Sequence, residues 1–132
     1  NCGITFDQSQ IVGTIGGCEA ILLAFMAVCD VGDEIVVFEP YYSNYSGIAA
    51  MAGVNLVAVP TVVDDGYHLP AREKIVEKIT NKTRAIMYAS PGNPTGTVYT
   101  KEELLMLVDI AKEKDVFLMA DEVYREFCYD SD

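Results

Sequence analysis

The sequence predicts an α/β fold: a three-layer α/β/α arrangement around a mostly parallel sheet. Two observations carry that expectation. Short apolar runs recur at residues 11–14, 35–38, 54–59, 85–89 and 116–120, with helix-length segments between most of them. Several of these runs are continuous rather than alternating, the mark of strands covered on both faces. Repeated strand, helix, strand implies right-handed crossovers, and therefore a parallel sheet with helices on both sides.

Taken in order, the first run is a short strand that ends at Gly16-Gly17. Residues 18–30 are apolar on nearly every face, so they read as a buried helix, ended by Gly32. The run at 35–38 is the second strand. Residues 44–52 form a helix with Gly53 as its C-cap, and 54–59 the third strand. Asp64-Asp65-Gly66 is a turn. Pro70 suits the first turn of a helix running to about Ile79, and 85–89 is the fourth strand. Thr100 and Glu103 have capping-box spacing and start a helix with Leu104, Leu107, Val108 and Ala111 on one face. The fifth strand is 116–120.

Composition narrows the function. The 132 residues are enough for one domain with a core, and their net charge of −11 argues against a nucleic-acid partner, whose phosphates need Lys and Arg. An anionic ligand would have to be held by local dipoles rather than by the overall field. The longest near-continuous apolar stretch, residues 20–29, falls well short of the roughly 20 residues of a membrane span, so no membrane partner is expected. Cys2, Cys18, Cys29 and Cys128 are irregularly spaced and His68 is the one histidine, so no metal site is expected and the thiols suit a reducing cytoplasm. No basic stretch followed by an apolar one opens the sequence, so no secretory signal is read at this start. The chain begins like mid-protein sequence and stops at Asp132 without a helix to cover the last strand, which suggests truncation.

In open α/β sheets, ligands bind beyond the C-terminal ends of the strands. Gly16-Gly17-Cys18 succeeds the first run at a helix start, where free N–H groups and glycines can cradle a phosphate; a plain tight turn accounts for the same residues. Tyr42, after the second run, offers a face for an aromatic ring or fills the core. Asn93-Pro94-Thr95-Gly96, after the fourth, is a stiffened loop that holds a polar group against a ligand at low entropic cost, or a simple turn. Asp121 stands at the mouth of the fifth, where a carboxylate needs a partner. It either caps local N–H groups or faces a positive charge such as a protonated heterocyclic nitrogen. Tyr124 can aim its hydroxyl at the same place.

Together, Thr14-Ile15-Gly16-Gly17-Cys18-Glu19-Ala20, Glu39-Pro40-Tyr41-Tyr42-Ser43-Asn44-Tyr45, Ser90-Pro91-Gly92-Asn93-Pro94-Thr95-Gly96-Thr97 and Ala120-Asp121-Glu122-Val123-Tyr124 resemble the class I/II aminotransferases, pyridoxal-phosphate enzymes of fold type I. The resemblance spans nearly the whole chain. It implies that residues 1–132 are a partial pyridoxal-phosphate-binding large domain, with the small domain and the C-terminal part of the large domain absent. It implies pyridoxal 5'-phosphate as cofactor, amino acid and 2-oxo acid as substrates, and a homodimer as the full-length enzyme.

The resemblance assigns a role to each site residue. The N–H groups of Gly17 and Cys18 hold the cofactor phosphate, and Tyr42 stacks on its ring. Asn93 and Tyr124 bond its phenolic oxygen, and Asp121 keeps the ring nitrogen protonated, which makes the ring a better electron sink. The Schiff-base lysine and the arginine that clamps the substrate carboxylate belong to the missing part, so no catalytic residue is expected here and the chain alone is expected to be inactive. Lys74, Lys78, Lys82, Lys101, Lys112 and Lys114 are expected in solvent.

The resemblance also implies strands in the order third, second, fourth, fifth, with the first unpaired, and cis bonds at Glu39-Pro40 and Asn93-Pro94. A carbon–sulfur lyase of the same fold, or a non-catalytic binding module, are the alternatives. A nucleotide-binding Rossmann-like domain is disfavoured, since the first run is not succeeded by GxGxxG.

Overall fold

The computed structural model describes residues 4–129. Its sheet has four parallel strands: β1 (Glu34–Glu39), β2 (Asn55–Pro60), β3 (Thr83–Ala89) and β4 (Phe117–Asp121), in the order β2-β1-β3-β4. That is the order expected for the last four runs. The chain leaves β1 in one direction to make β2 and returns to its other side to make β3, so the direction of winding switches between β1 and β3. Such a switch opens a crevice at the C-terminal ends of the strands.

Period-two geometry explains the continuous apolar runs. On β1, Ile35 and Val37 enter one core with Phe25, Tyr45, Ile48, Ala85 and Met87, beneath α1 (Gly17–Val28) and α2 (Asn44–Ala52). Val36 and Phe38 enter the opposite core with Ile75, Ile86, Leu107 and Ile110, beneath α3 (Arg72–Val76) and α4 (Lys101–Lys114). Both faces of β1 and β3 must therefore be apolar.

The structure corrects several expectations. Residues 11–14 form no strand, with Ile11 and Val12 exposed; as expected, the run pairs with no other strand among the described residues. Ile11 keeps an extended backbone, but with no neighbour to pair their N–H and C=O groups Ile11-Val12-Gly13-Thr14 build no ladder. The helix read as buried begins at Gly17 and buries Phe25 alone, while Leu23 and Met26 are exposed. It meets the sheet along one stripe, with Ile21, Leu22 and Val28 flanking Phe25.

The helix expected from Pro70 is only Arg72–Val76, with Pro70 lying before its N-cap Ala71. Tight bonds from Lys78 N–H to Ile75 and from Ile79 N–H to Val76 replace its last turn. The inward stripe of α4 includes Ile110, which the sequence pattern did not single out, and leaves Leu104 and Val108 half-buried. Gly53 does cap α2 with φ 71°, where an added Cβ would lie 3.1 Å from the Val31 side chain. The bonds Glu39-Pro40 and Asn93-Pro94 are cis, as the resemblance implies, and so is Ser90-Pro91.

Glu103 has a wider role than its capping box with Thr100. Its carboxylate accepts the Leu69 N–H at 2.7 Å and lies 3.0 Å from His68 Nδ1, tying the 66–69 loop to the start of α4. Burial pushes this carboxyl up, but bonds from Thr100, His68 and Leu69 and the charge of His68 outweigh that, leaving it below the usual 4.5. A carboxyl lowered by folding stabilises above its unfolded value and loses that contribution as pH falls through the folded one. Glu103→Gln is therefore expected to lower the urea midpoint near neutrality by about 1–2 kcal/mol equivalent, as expected for bonds to a charged group. The gap from the parent chain should close below pH 4.5. Urea titrations of both chains between neutrality and about pH 3 check this.

Candidate functional site

Three loops and one helix start meet at the C-terminal edge of the sheet. A cavity of about 220 Å³ there is lined by Gly17, Cys18, Tyr42, Asn93, Asp121 and Tyr124, together with Ile21, Tyr45, Ala89 and Val123. All six residues predicted from sequence are thus brought together.

Helix α1 supplies its N-terminal end. Gly16 is the N-cap and makes no side-chain cap bond. The first helical bond runs from Ala20 N–H to Gly16 C=O, so the Gly17 and Cys18 N–H groups precede the ladder. An added Cβ at Gly16 or Gly17 would meet nothing within 4 Å, so the approach to these groups is open. Glu19 turns back to accept the Ile15 N–H at 2.8 Å, fixing the entry to the helix.

After β1, Tyr42 lies edge-on to Tyr45, with ring centroids 5.6 Å apart at 86°. Its hydroxyl accepts from Asn44 Nδ2 at 2.6 Å, and that nitrogen also lies 3.8 Å from Cys18 Sγ. Contact with Cys18 and partial burial push the Tyr42 phenol up. After β3, the 90–97 loop closes on itself: Gly92 N–H donates to Thr97 C=O and Gly96 N–H to Gly92 C=O. Ser90 Oγ accepts the Tyr99 N–H, which ties the loop to the approach to α4. This loop holds Asn93 with Nδ2 at 3.5 Å from the Tyr124 hydroxyl, the outer limit of a hydrogen bond.

Asp121 is the last residue of β4, one beyond the predicted end of that run, and sits beside Ala89 in the sheet. Its Oδ1 accepts the Val123 N–H at 3.2 Å and its Oδ2 accepts the Tyr45 hydroxyl at 2.6 Å. The sequence pattern did not single out Tyr45. It stands three residues beyond Tyr42, at the second position of an apolar helix, and a buried tyrosine there needs an acceptor for its hydroxyl. Lys74, Lys78, Lys82, Lys101, Lys112 and Lys114 are all exposed, as expected, and none lines the cavity.

A parallel sheet whose winding switches between β1 and β3, with an uncapped helix start, an aromatic wall and a half-buried carboxylate around one cavity, defines an open α/β protein with a crevice at the C-terminal ends of its strands. Comparison with known proteins carries this further. The profile of "Aminotransferase class I and II" matches residues 2–132, and the chain belongs to that family.

The chain is 36% identical over 130 residues to an aspartate/prephenate aminotransferase of Thermus thermophilus, covering 98% of this chain and 34% of that protein. It is 37% identical over 125 residues to a Bacillus subtilis protein described as a putative aminotransferase, covering 95% and 32%. Among solved structures, Thermus thermophilus aspartate aminotransferase with maleate superposes with a TM-score of 0.85 at 39% identity, covering 90% of this chain and 31% of that one. The alanine aminotransferase of Pyrococcus furiosus superposes with a TM-score of 0.81 at 36% identity, covering 87% and 29%. The chain spans about a third of the length of the curated relatives it matches.

Proposed function

We propose that this chain is the cofactor-binding part of a pyridoxal 5'-phosphate-dependent aminotransferase that moves an amino group between an amino acid and a 2-oxo acid. The observation that carries the reading is the meeting of the Asp121 carboxylate, the α1 start and the Tyr42 ring around one cavity. The donor set suits the cofactor. Open N–H groups at Gly17 and Cys18 match a phosphate, and a carboxylate matches a protonated ring nitrogen.

When bound, the cofactor supplies an electron sink for the pair left behind as a substrate Cα–H bond breaks. The resemblance to the family gives each residue its part, and its chemistry suits that part. Gly17 and Cys18 would hold the phosphate through backbone N–H groups, with the dipole of α1 supplying positive potential that a chain of net charge −11 otherwise lacks. Tyr42 would offer its ring for stacking. Asn93 and Tyr124 would hydrogen-bond the phenolic oxygen. Asp121 would keep the ring nitrogen protonated. We further place the intact protein in the cytoplasm as a homodimer. Free thiols at Cys18, Cys29 and Cys128 support a reducing compartment. No helix among the described residues is long and apolar enough to cross a membrane.

The test is a substrate panel. The intact protein, loaded with pyridoxal 5'-phosphate, is expected to transfer amino groups only when a 2-oxo acid is supplied. Release of pyruvate and ammonia without an acceptor would instead place it among carbon–sulfur lyases. Failure to take up the cofactor would remove the reading altogether.

A further inference from the structure

We infer that Tyr45 is a positioning residue for Asp121, a role that rests on the proposed function. Tyr45 is 3% exposed, and its neighbours set its place. The Tyr41 ring stacks on it at 6.1 Å and 12°, the Tyr42 ring meets it edge-on, and Ile48, Ala49, Val54 and Met87 share its core. A ring clamped on several sides cannot swing its hydroxyl away, so the 2.6 Å bond to Asp121 Oδ2 is held by packing rather than by the bond alone.

The second donor, Val123 N–H, comes from the turn after β4. Two donors from separate elements fix the plane of the carboxylate. An ionised carboxylate has about four acceptor positions, so each oxygen keeps capacity for a donor in the cavity. Tyr45 also touches the Tyr42 ring, so one side chain sets both the proposed ring-stacking face and the proposed ring-nitrogen partner.

The hydroxyl is held protonated by its surroundings. Burial pushes the Tyr45 phenol far up, and the hydrogen bond to Asp121, the Asp121 charge, Tyr42 and Cys18 push the same way. A neutral phenol donates to the carboxylate without cancelling its charge, so Asp121 keeps the negative charge that a ring-nitrogen proton needs.

One experiment tests this. In the intact protein loaded with pyridoxal 5'-phosphate labelled with ¹⁵N at the ring nitrogen, Tyr45→Phe is expected to keep the packed ring and lose the donor. The nitrogen should then give up its proton at lower pH, with the protonation constant falling about tenfold, the scale of a hydrogen bond to a charged group. Competition by inorganic phosphate for the site should stay unchanged. Uptake of the cofactor with the same ring-nitrogen titration as the parent would overturn the inference alone. No uptake by the parent protein would overturn the functional reading, and the inference with it.

Discussion

On the proposed function, Asp121→Ala in the intact protein is expected to slow amino transfer by about a hundredfold to several thousandfold, the scale of removing one partner of a desolvated charge pair at about 3–5 kcal/mol. A carboxylate at the end of β4 is the group here best placed to keep a ring nitrogen protonated, and without that proton the electron sink weakens. Asp121→Asn separates charge from shape. Its single carbonyl oxygen can accept from the Tyr45 hydroxyl or from the Val123 N–H but not both, and it has no negative charge, so its rate should fall nearly as far as that of the alanine variant. Stability should divide the two. Alanine leaves the buried Tyr45 hydroxyl without its acceptor, at a cost of about 1–3 kcal/mol, while asparagine can turn its carbonyl oxygen to Tyr45 and leave the N–H of exposed Val123 to solvent. Single-turnover rates and thermal unfolding of both variants check this. An asparagine variant at near-parental rate would remove charge from the argument and leave Asp121 a structural cap.

Legibility from sequence depended on how local each signal is. The four sheet strands are legible because β1 and β3 are apolar on consecutive residues, and only burial on both faces explains that. The α4 start is legible because Thr100 and Glu103 are a local code. Residues 11–14 mislead because β-branched composition describes a surface that suits pairing, not the presence of a partner. Helix α1 misleads in a similar way: its composition is apolar all round, yet burial depends on what covers it, and only the Phe25 stripe is covered. Asp121, Asn93 and Tyr124 are legible because each lies at or just beyond the C-terminal end of a strand, where open α/β sheets bind their ligands. Tyr45 carries no such mark. It lies inside α2 and reaches Asp121 from across the crevice, a contact 76 positions apart in the chain.

The same stripe of α1 yields the largest expected effect on stability. Phe25 is fully buried against Ile35, Val37, Ala85 and Met87, and it is the single buried residue of its helix. Phe25→Ala removes the anchor and leaves a cavity, with an expected loss of about 3–5 kcal/mol. Against a total of roughly 5–15 kcal/mol for a typical domain, that brings this chain close to its unfolding threshold. In urea the midpoint should drop sharply with the slope preserved. Leu23→Ala is the matching control. Leu23 is 45% exposed on the same helix, so its change should stay within about 0.5 kcal/mol. If the two substitutions cost the same, α1 is held uniformly rather than by one residue. The consequence reaches the cavity, because Gly17 and Cys18 lie at the start of the helix that Phe25 pins to the sheet. Under conditions where Phe25→Ala remains folded, its affinity for inorganic phosphate should fall, whereas that of Leu23→Ala should not. A loosened anchor two turns away would then show that the proposed phosphate cradle is set by the core, not by the loop that precedes it.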